Sequence, residues 1–136
     1  MKELTLAATV DNIEKVTEFV DEQLCALDCP MKIQVQIDIA IDEIFGNIAH
    51  YAYANGVGEA TVKVEAIGDP LAVGITFIDS GVPYDPLAKA DPNTALSIEE
   101  REIGGLGIYM VKKSMDDISY EYKNGQNVLT IKKNLH

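Results

Sequence analysis

Ile41-Asp42-Glu43-Ile44-Phe45-Gly46-Asn47-Ile48-Ala49-His50-Tyr51 decides how this chain is read. Ile33, Ile37, Ile41, Ile44, Ile48 and Tyr51 recur at steps of three and four, the spacing of one face of an α-helix. That period outweighs the weak helix propensity of isoleucine, a few tenths of a kcal/mol per residue. Pro30 suits the first turn, and Gly56 and Gly58 are read as the end. Glu43 and Asn47 are one turn apart and share a face. At about 100° per residue, that face lies roughly a quarter to a third of a turn from the isoleucine stripe. An acid and an amide can therefore leave the edge of a core together and enter a cleft.

Upstream, Glu3 to Ala8 alternates weakly and reads as a strand. Asp11 with Glu14 three residues later resembles a capping box. It would open a first helix over Ile13, Val16, Phe19, Val20, Leu24 and Leu27, ending near Asp28. Downstream, Ala60 to Ile67 alternates, with Val62, Val64 and Ala66 on one face. Gly68, Asp69 and Pro70 then make a turn. Leu71 to Ile78 is apolar throughout and reads as a central strand.

Residues 81–103 carry Pro83, Pro86, Pro92 and Asn93 and little periodicity. A loop this long in a compact domain is functional or disordered. It reads as a lid, with a short helical piece near Leu96 to Arg101. A third helix runs from Gly107 to about Asp116. Ile118–Lys123 and Asn127–Lys133 form a hairpin across Asn124 and Gly125, a type I′ turn signal. The order is strand, two helices, two strands, lid, helix and hairpin. It implies an α+β fold, a two-layer α/β sandwich of one domain, with helices on one face of a mixed sheet.

The chain has 136 residues and 47% apolar content, enough for one ordinary core. Its net charge of -11 repels phosphate backbones and argues against direct nucleic-acid binding. No apolar run is long enough for a signal peptide or a bilayer span, so the expectation is a cytoplasmic protein with no membrane contact. Cys25 and Cys29 sit one helical turn apart and read as two reduced thiols at or near a core. A zinc site would need further ligands at suitable spacing.

Three short stretches carry chemistry. Glu43 can take a proton from a hydroxyl or water, and the Asn47 amide can complete a Mg²⁺ shell of phosphates and water. The same spacing alone also suits an ordinary solvated pair. Asp79, ending an apolar strand before Gly81, can accept the exocyclic amine of adenine or be a simple turn aspartate. Gly104, Gly105, Leu106 and Gly107 open a helix whose first N–H groups attract phosphate. A flexible hinge is the other reading. No Gly-Lys-Ser/Thr follows, so this is no P-loop. Arg101, the single arginine, is either solvated or positioned to hold charge on a γ-phosphate. His50 reads as a helix-surface histidine.

Together these stretches resemble the N, G1 and G2 boxes of the GHKL (Bergerat-fold) ATPases, over nearly the whole chain. The stand-alone branch of anti-sigma-factor serine/threonine kinases is similar in Glu43–Tyr53, Asp79–Pro86 and Gly104–Asp116. That resemblance implies ATP and Mg²⁺ as cofactors. It implies Glu43 as general base, Asn47 as metal ligand and Asp79 as adenine acceptor, with Gly81 beneath the base. Gly105 and Gly107 become phosphate-binding glycines, and Thr130 a threonine near the adenine. The implied partners are an anti-anti-sigma-like (STAS) protein and a sigma factor, with a homodimer as one arrangement. Two other readings remain: a non-catalytic ATP-gated binding module, and a detached histidine-kinase-like ATPase domain.

Overall fold

A computed structural model describes residues 2–53, 58–68, 71–85 and 105–135. Strand β1 (Lys2–Ala7) leads through a 3-10 turn (Val10–Asn12) into helices α1 (Ile13–Ala26) and α2 (Met31–Tyr51). Strands β2 (Glu59–Ile67) and β3 (Ala72–Asp79) follow. Helix α3 (Gly105–Ser114) and the hairpin β4 (Asp117–Lys123) and β5 (Gln126–Asn134) complete the order. Of the lid expected over 81–103, residues 86–103 lie outside the described residues, and with them the helical piece expected near Leu96 to Arg101, and Gly104.

The sheet order is β1-β2-β3-β5-β4, and every pairing is antiparallel. The α+β sandwich stands, but the sheet is not mixed. The crossover after β3 reaches β4, which runs parallel to β3 but two places away. β5 fills the gap and pairs antiparallel with both. β3 is central, as its continuous apolar run implies.

The three described helices lie on one face of the sheet. Val16, Val20 and Leu24 of α1 and Ile37, Ile41, Ile44 and Phe45 of α2 are buried there. They meet Val62, Ile75, Phe77, Leu129 and Ile131 from the strands. The register sets these apolar residues in rows across the sheet: Val64, Ile75 and Ile131 in one, Val62, Phe77 and Leu129 in the next. The following row continues with Ala60, Asp79 and Asn127. Period-2 alternation thus delivers two polar side chains to the core side of the sheet end. Asp79 and Asn127 are only 5% and 6% exposed.

Several boundaries differ from the sequence reading. No capping box forms at Asp11 and Glu14. Asp11 sits inside the 3-10 turn, and the Asn12 side chain donates back to the Ala7 carbonyl at 2.8 Å. Helix α1 stops with Asp28 at a φ of 55°, while Asp28 N–H bonds Cys25 O and Cys29 N–H bonds Leu24 O. This is a Schellman ending, with Asp in place of the usual glycine. Helix α2 ends at Tyr51, ahead of Gly56 and Gly58. There the Ala52 carbonyl accepts Val82 N–H at 2.9 Å, and the Tyr53 hydroxyl bridges Ser80 N–H and the Glu59 carbonyl. Helix α3 starts two residues early, at Gly105. The hairpin turn has φ of 55° at Asn124 and 76° at Gly125, as a type I′ turn requires. Cys25 is exposed rather than near the core, and Cys29 is half-buried.

Asp21 on α1 faces Asp38 on α2. One oxygen of each, Asp21 Oδ1 and Asp38 Oδ1, is buried without a hydrogen-bond partner among the described residues. Burial first, and the facing Asp21 second, push the Asp38 carboxyl from 3.8 up to about 7. Cys29 nearby is pushed up by burial, then by Asp21 and Asp38. A raised carboxyl pKa means the fold binds that proton more tightly than the unfolded chain does. Its stabilising effect is complete below pH 3.8 and is lost as pH rises through about 7. Asp38→Asn is expected to remove this loss. Urea unfolding at pH 5 and pH 8 checks it: the wild type falls between the two, and the variant holds.

Candidate functional site

Helix α2 packs against both α1 and α3. Its stripe of Ile33, Ile37, Ile41 and Ile44 faces the sheet, so Glu43 and Asn47 emerge on a flank, half-buried. Beside them an open-sided cleft lies between α2, α3 and the end of the sheet. Ile44, Ile48, Phe77, Ile108 and Leu129 give it apolar walls. Asn47, Asp79, Asn127, Tyr84 and Tyr120 supply the polar groups. Apolar walls with few convergent polar groups suit a small ligand with a flat apolar body.

Asp79 is the end of β3, and its carboxylate is held rigidly. Its Oδ1 accepts Gly81 N–H at 2.9 Å and Asn127 Nδ2 at 2.9 Å. Among the described residues no donor meets Oδ2, which leaves that oxygen for a ligand donor. Gly81 is glycine for a reason of space: a Cβ there would overlap the carbonyl oxygen, carbonyl carbon and Cβ of Ala52. The chain after β3 thus lies directly on the end of α2.

Gly107 makes the second close approach. A Cβ at this position would overlap Glu43 Oε2. The Glu43 carboxyl therefore lies against the first turn of α3, where helix N–H groups favour anions. Burial, and then the charge of Asp42, raise the Glu43 pKa above its ordinary 4.5. Asp42 itself is exposed on another side of α2. Burial likewise raises the Tyr120 hydroxyl, which keeps it a donor.

The structure therefore brings Asn47 and Asp79 to one cleft, and the Glu43–Gly107 contact is made by the sequence neighbours of the wall residues Ile44 and Ile108; Gly81 N–H holds Asp79. The backbone of Gly105 and Leu106 forms the start of α3. Thr130 is not part of this group. It lies three residues after Asn127 on β5, so alternation turns it to the opposite face, where its hydroxyl meets Thr76 Oγ1 at 3.3 Å. Thr130→Val is expected to leave the affinity for the ATP that the resemblance implies within about twofold of wild type, as for surface changes remote from a site. Isothermal titration with ATP reads this directly.

Asn127 and Tyr120 were not singled out from the sequence. The signal was present: Asn127 precedes Leu129 and Ile131 in the inward alternation, and a polar amide there breaks an apolar row. His50 is exposed, as a helix-surface residue would be. Among the described residues no group of three or more His, Cys, Asp or Glu is arranged to hold a metal ion. The single Asn47 amide fits an ion whose remaining ligands come from phosphate and water. No described helix is long and apolar enough to cross a membrane.

This arrangement defines an α+β sandwich with an open cleft between the helical layer and the sheet end. The chain belongs to the histidine kinase-like ATPase domain family, which it matches over residues 6–133. Among its relatives is the serine/threonine-protein kinase BtrW of Bordetella bronchiseptica. The two are 26% identical over 100 residues, 74% of this chain and 70% of BtrW. Serine-protein kinase RsbW of Bacillus cereus is 35% identical over 98 residues, 69% of this chain but 60% of RsbW. The match thus spans about three fifths of the RsbW length. The histidine kinase AdeS of Acinetobacter baumannii shares the fold, with a TM-score of 0.50 at 12% identity over all of this chain and 70% of that one.

Proposed function

We propose that this protein is an ATP-dependent serine kinase of the anti-sigma regulatory type. The observation that carries this reading is the convergence of Asp79 and Asn47 on one cleft, with the Glu43 carboxyl against the first turn of α3. Adenine enters the apolar end and donates its 6-amino group to Asp79 Oδ2. The triphosphate runs toward α3, whose N-terminal N–H groups face it. Asn47 would hold Mg²⁺ through its amide oxygen. When bound, the ion would supply charge neutralisation on the phosphates, which phosphoryl transfer needs most.

Glu43 orients the seryl hydroxyl of a small anti-anti-sigma-like partner and accepts its proton. The seryl oxygen forms the new bond to the γ-phosphorus, and the bond from that phosphorus to the β,γ-bridging oxygen breaks. ADP leaves with the electron pair. Arg101 is assigned to the γ-phosphate charge. The names of BtrW and RsbW support serine as the acceptor. The same surface would bind a sigma factor when the partner is phosphorylated.

Incubation with γ-labelled ATP, Mg²⁺ and candidate STAS partners tests the reading. The expected product is acid-stable phosphoserine on the partner. An acid-labile label would instead identify a phosphohistidine-forming domain. Nucleotide binding with no label on any partner would remove the kinase and leave an ATP-gated binding module.

A further inference from the structure

Asn127 stands opposite Asp79 in the β3–β5 register, buried on the core side of the sheet end. Every hydrogen-bonding position of its amide is used. Nδ2 donates to Asp79 Oδ1 and to the Val82 carbonyl, both at 2.9 Å. Oδ1 accepts Tyr84 N–H at 3.1 Å and the Tyr120 hydroxyl. The amide has one workable orientation, because rotating it by half a turn would set its carbonyl against a carboxylate and a carbonyl. Two acceptors on one side and two donors on the other fix it. One side chain thereby ties together β3, the strap of 82–84 and β4.

We propose that Asn127 is a positioning residue that gives Asp79 its preference for a 6-amino over a 6-oxo purine. The proposal rests on the nucleotide reading above. Asn127 and Gly81 N–H both occupy Oδ1, so the carboxylate cannot swing or offer a different oxygen. Only Oδ2 remains, and it is acceptor-only. A 6-amino group satisfies it, whereas a 6-oxo group sets two acceptors face to face and leaves both unpaired. Without Asn127 the carboxylate gains freedom to turn, and a water can mediate either purine. The strap at the same end loses its two bonds to Asn127 at once.

The experiment compares ATP with ITP, which differ at this position of the base, in wild type and Asn127→Ala. Wild type is expected to favour ATP. In the variant, ATP affinity should fall about tenfold, the worth of one to two hydrogen bonds, and the ATP-to-ITP ratio should fall with it. A merely structural role would lower the melting temperature and leave the ratio of the folded fraction unchanged. That result overturns the proposal, as does a wild type that binds the two equally. If wild type binds neither ATP nor ADP, the nucleotide reading itself fails, and this proposal with it. Should Asn127→Ala not fold, the Asn127 side-chain amide signals of ¹⁵N-labelled wild type decide. They are expected to shift on saturation with ATP and to shift differently with ITP, and indifference to both nucleotides refutes the role.

Discussion

Glu43→Gln is expected to lower the rate of phosphoryl transfer ~10²- to 10⁴-fold, the usual contribution of a positioned general base. ATP affinity should change little, since the proposed nucleotide contacts are made by Asp79, Asn47 and α3. The loss should therefore appear in kcat and not in the dissociation constant of ATP. The pH profile adds a separate check. Burial and Asp42 raise the Glu43 pKa above 4.5, and the base must be ionised to work. Activity should rise with pH along an acid limb set above the range of a free glutamate. Asp42→Asn removes the second cause, so it should move that limb to lower pH without abolishing activity. The stability sign is opposite to the catalytic one. A raised folded pKa means the native state prefers the protonated form, so this contribution is lost as pH climbs past that pKa. Glutamine copies the protonated form and should melt slightly higher than wild type at neutral pH. A variant that is more stable yet inactive would mark Glu43 as a group held under strain for chemistry. A Glu43→Gln protein with the wild-type rate would place the base elsewhere.

The fold was legible in the sequence wherever a single period dominates. Ile33, Ile37, Ile41 and Ile44 fix α2, and the alternation through Val62 and Val64 fixes β2. Asn124-Gly125 fixes the hairpin, because few residue pairs tolerate two consecutive positive φ values. Features that depend on partners distant in sequence were not legible. The Ala52 carbonyl meets Val82 thirty residues later, so no local pattern marks the end of α2. The antiparallel sheet depends on β5 inserting between β3 and β4, and nothing in either segment encodes that choice. Site residues divide the same way. Glu43, Asn47, Asp79 and Gly81 stand in short local motifs. Asn127 acts through register, and Thr130 was misplaced because three residues along a strand reverse the face.

Gly81→Ala should disable the site from outside the chemistry. Its new methyl group would occupy the space of the Ala52 carbonyl oxygen, and neither a Cβ nor a backbone carbonyl can be moved aside by side-chain rotation. The strap must lift from the end of α2. Lifting it breaks the Val82 N–H to Ala52 carbonyl bond and strains Gly81 N–H to Asp79. It also pulls Val82 and Tyr84 from Asn127. Overpacking costs about 1–3 kcal/mol and each of the three bonds lost by Val82 and Tyr84 about 1 kcal/mol, so a total of roughly 4–6 kcal/mol is expected. ATP affinity should drop by more than about tenfold, because the carboxylate loses a fixed partner. The same substitution at Gly46 has the opposite expected sign. A Cβ there would meet only Ile13 Cδ1, at an ordinary 3.9 Å, inside helix α2. Alanine at that position should stabilise the protein by about 0.5–1 kcal/mol and leave ATP binding intact. Thermal melts with and without ATP separate the two. If Gly81→Ala melts and binds like wild type, the close seat of the strap on α2 is not what holds Asp79 in place.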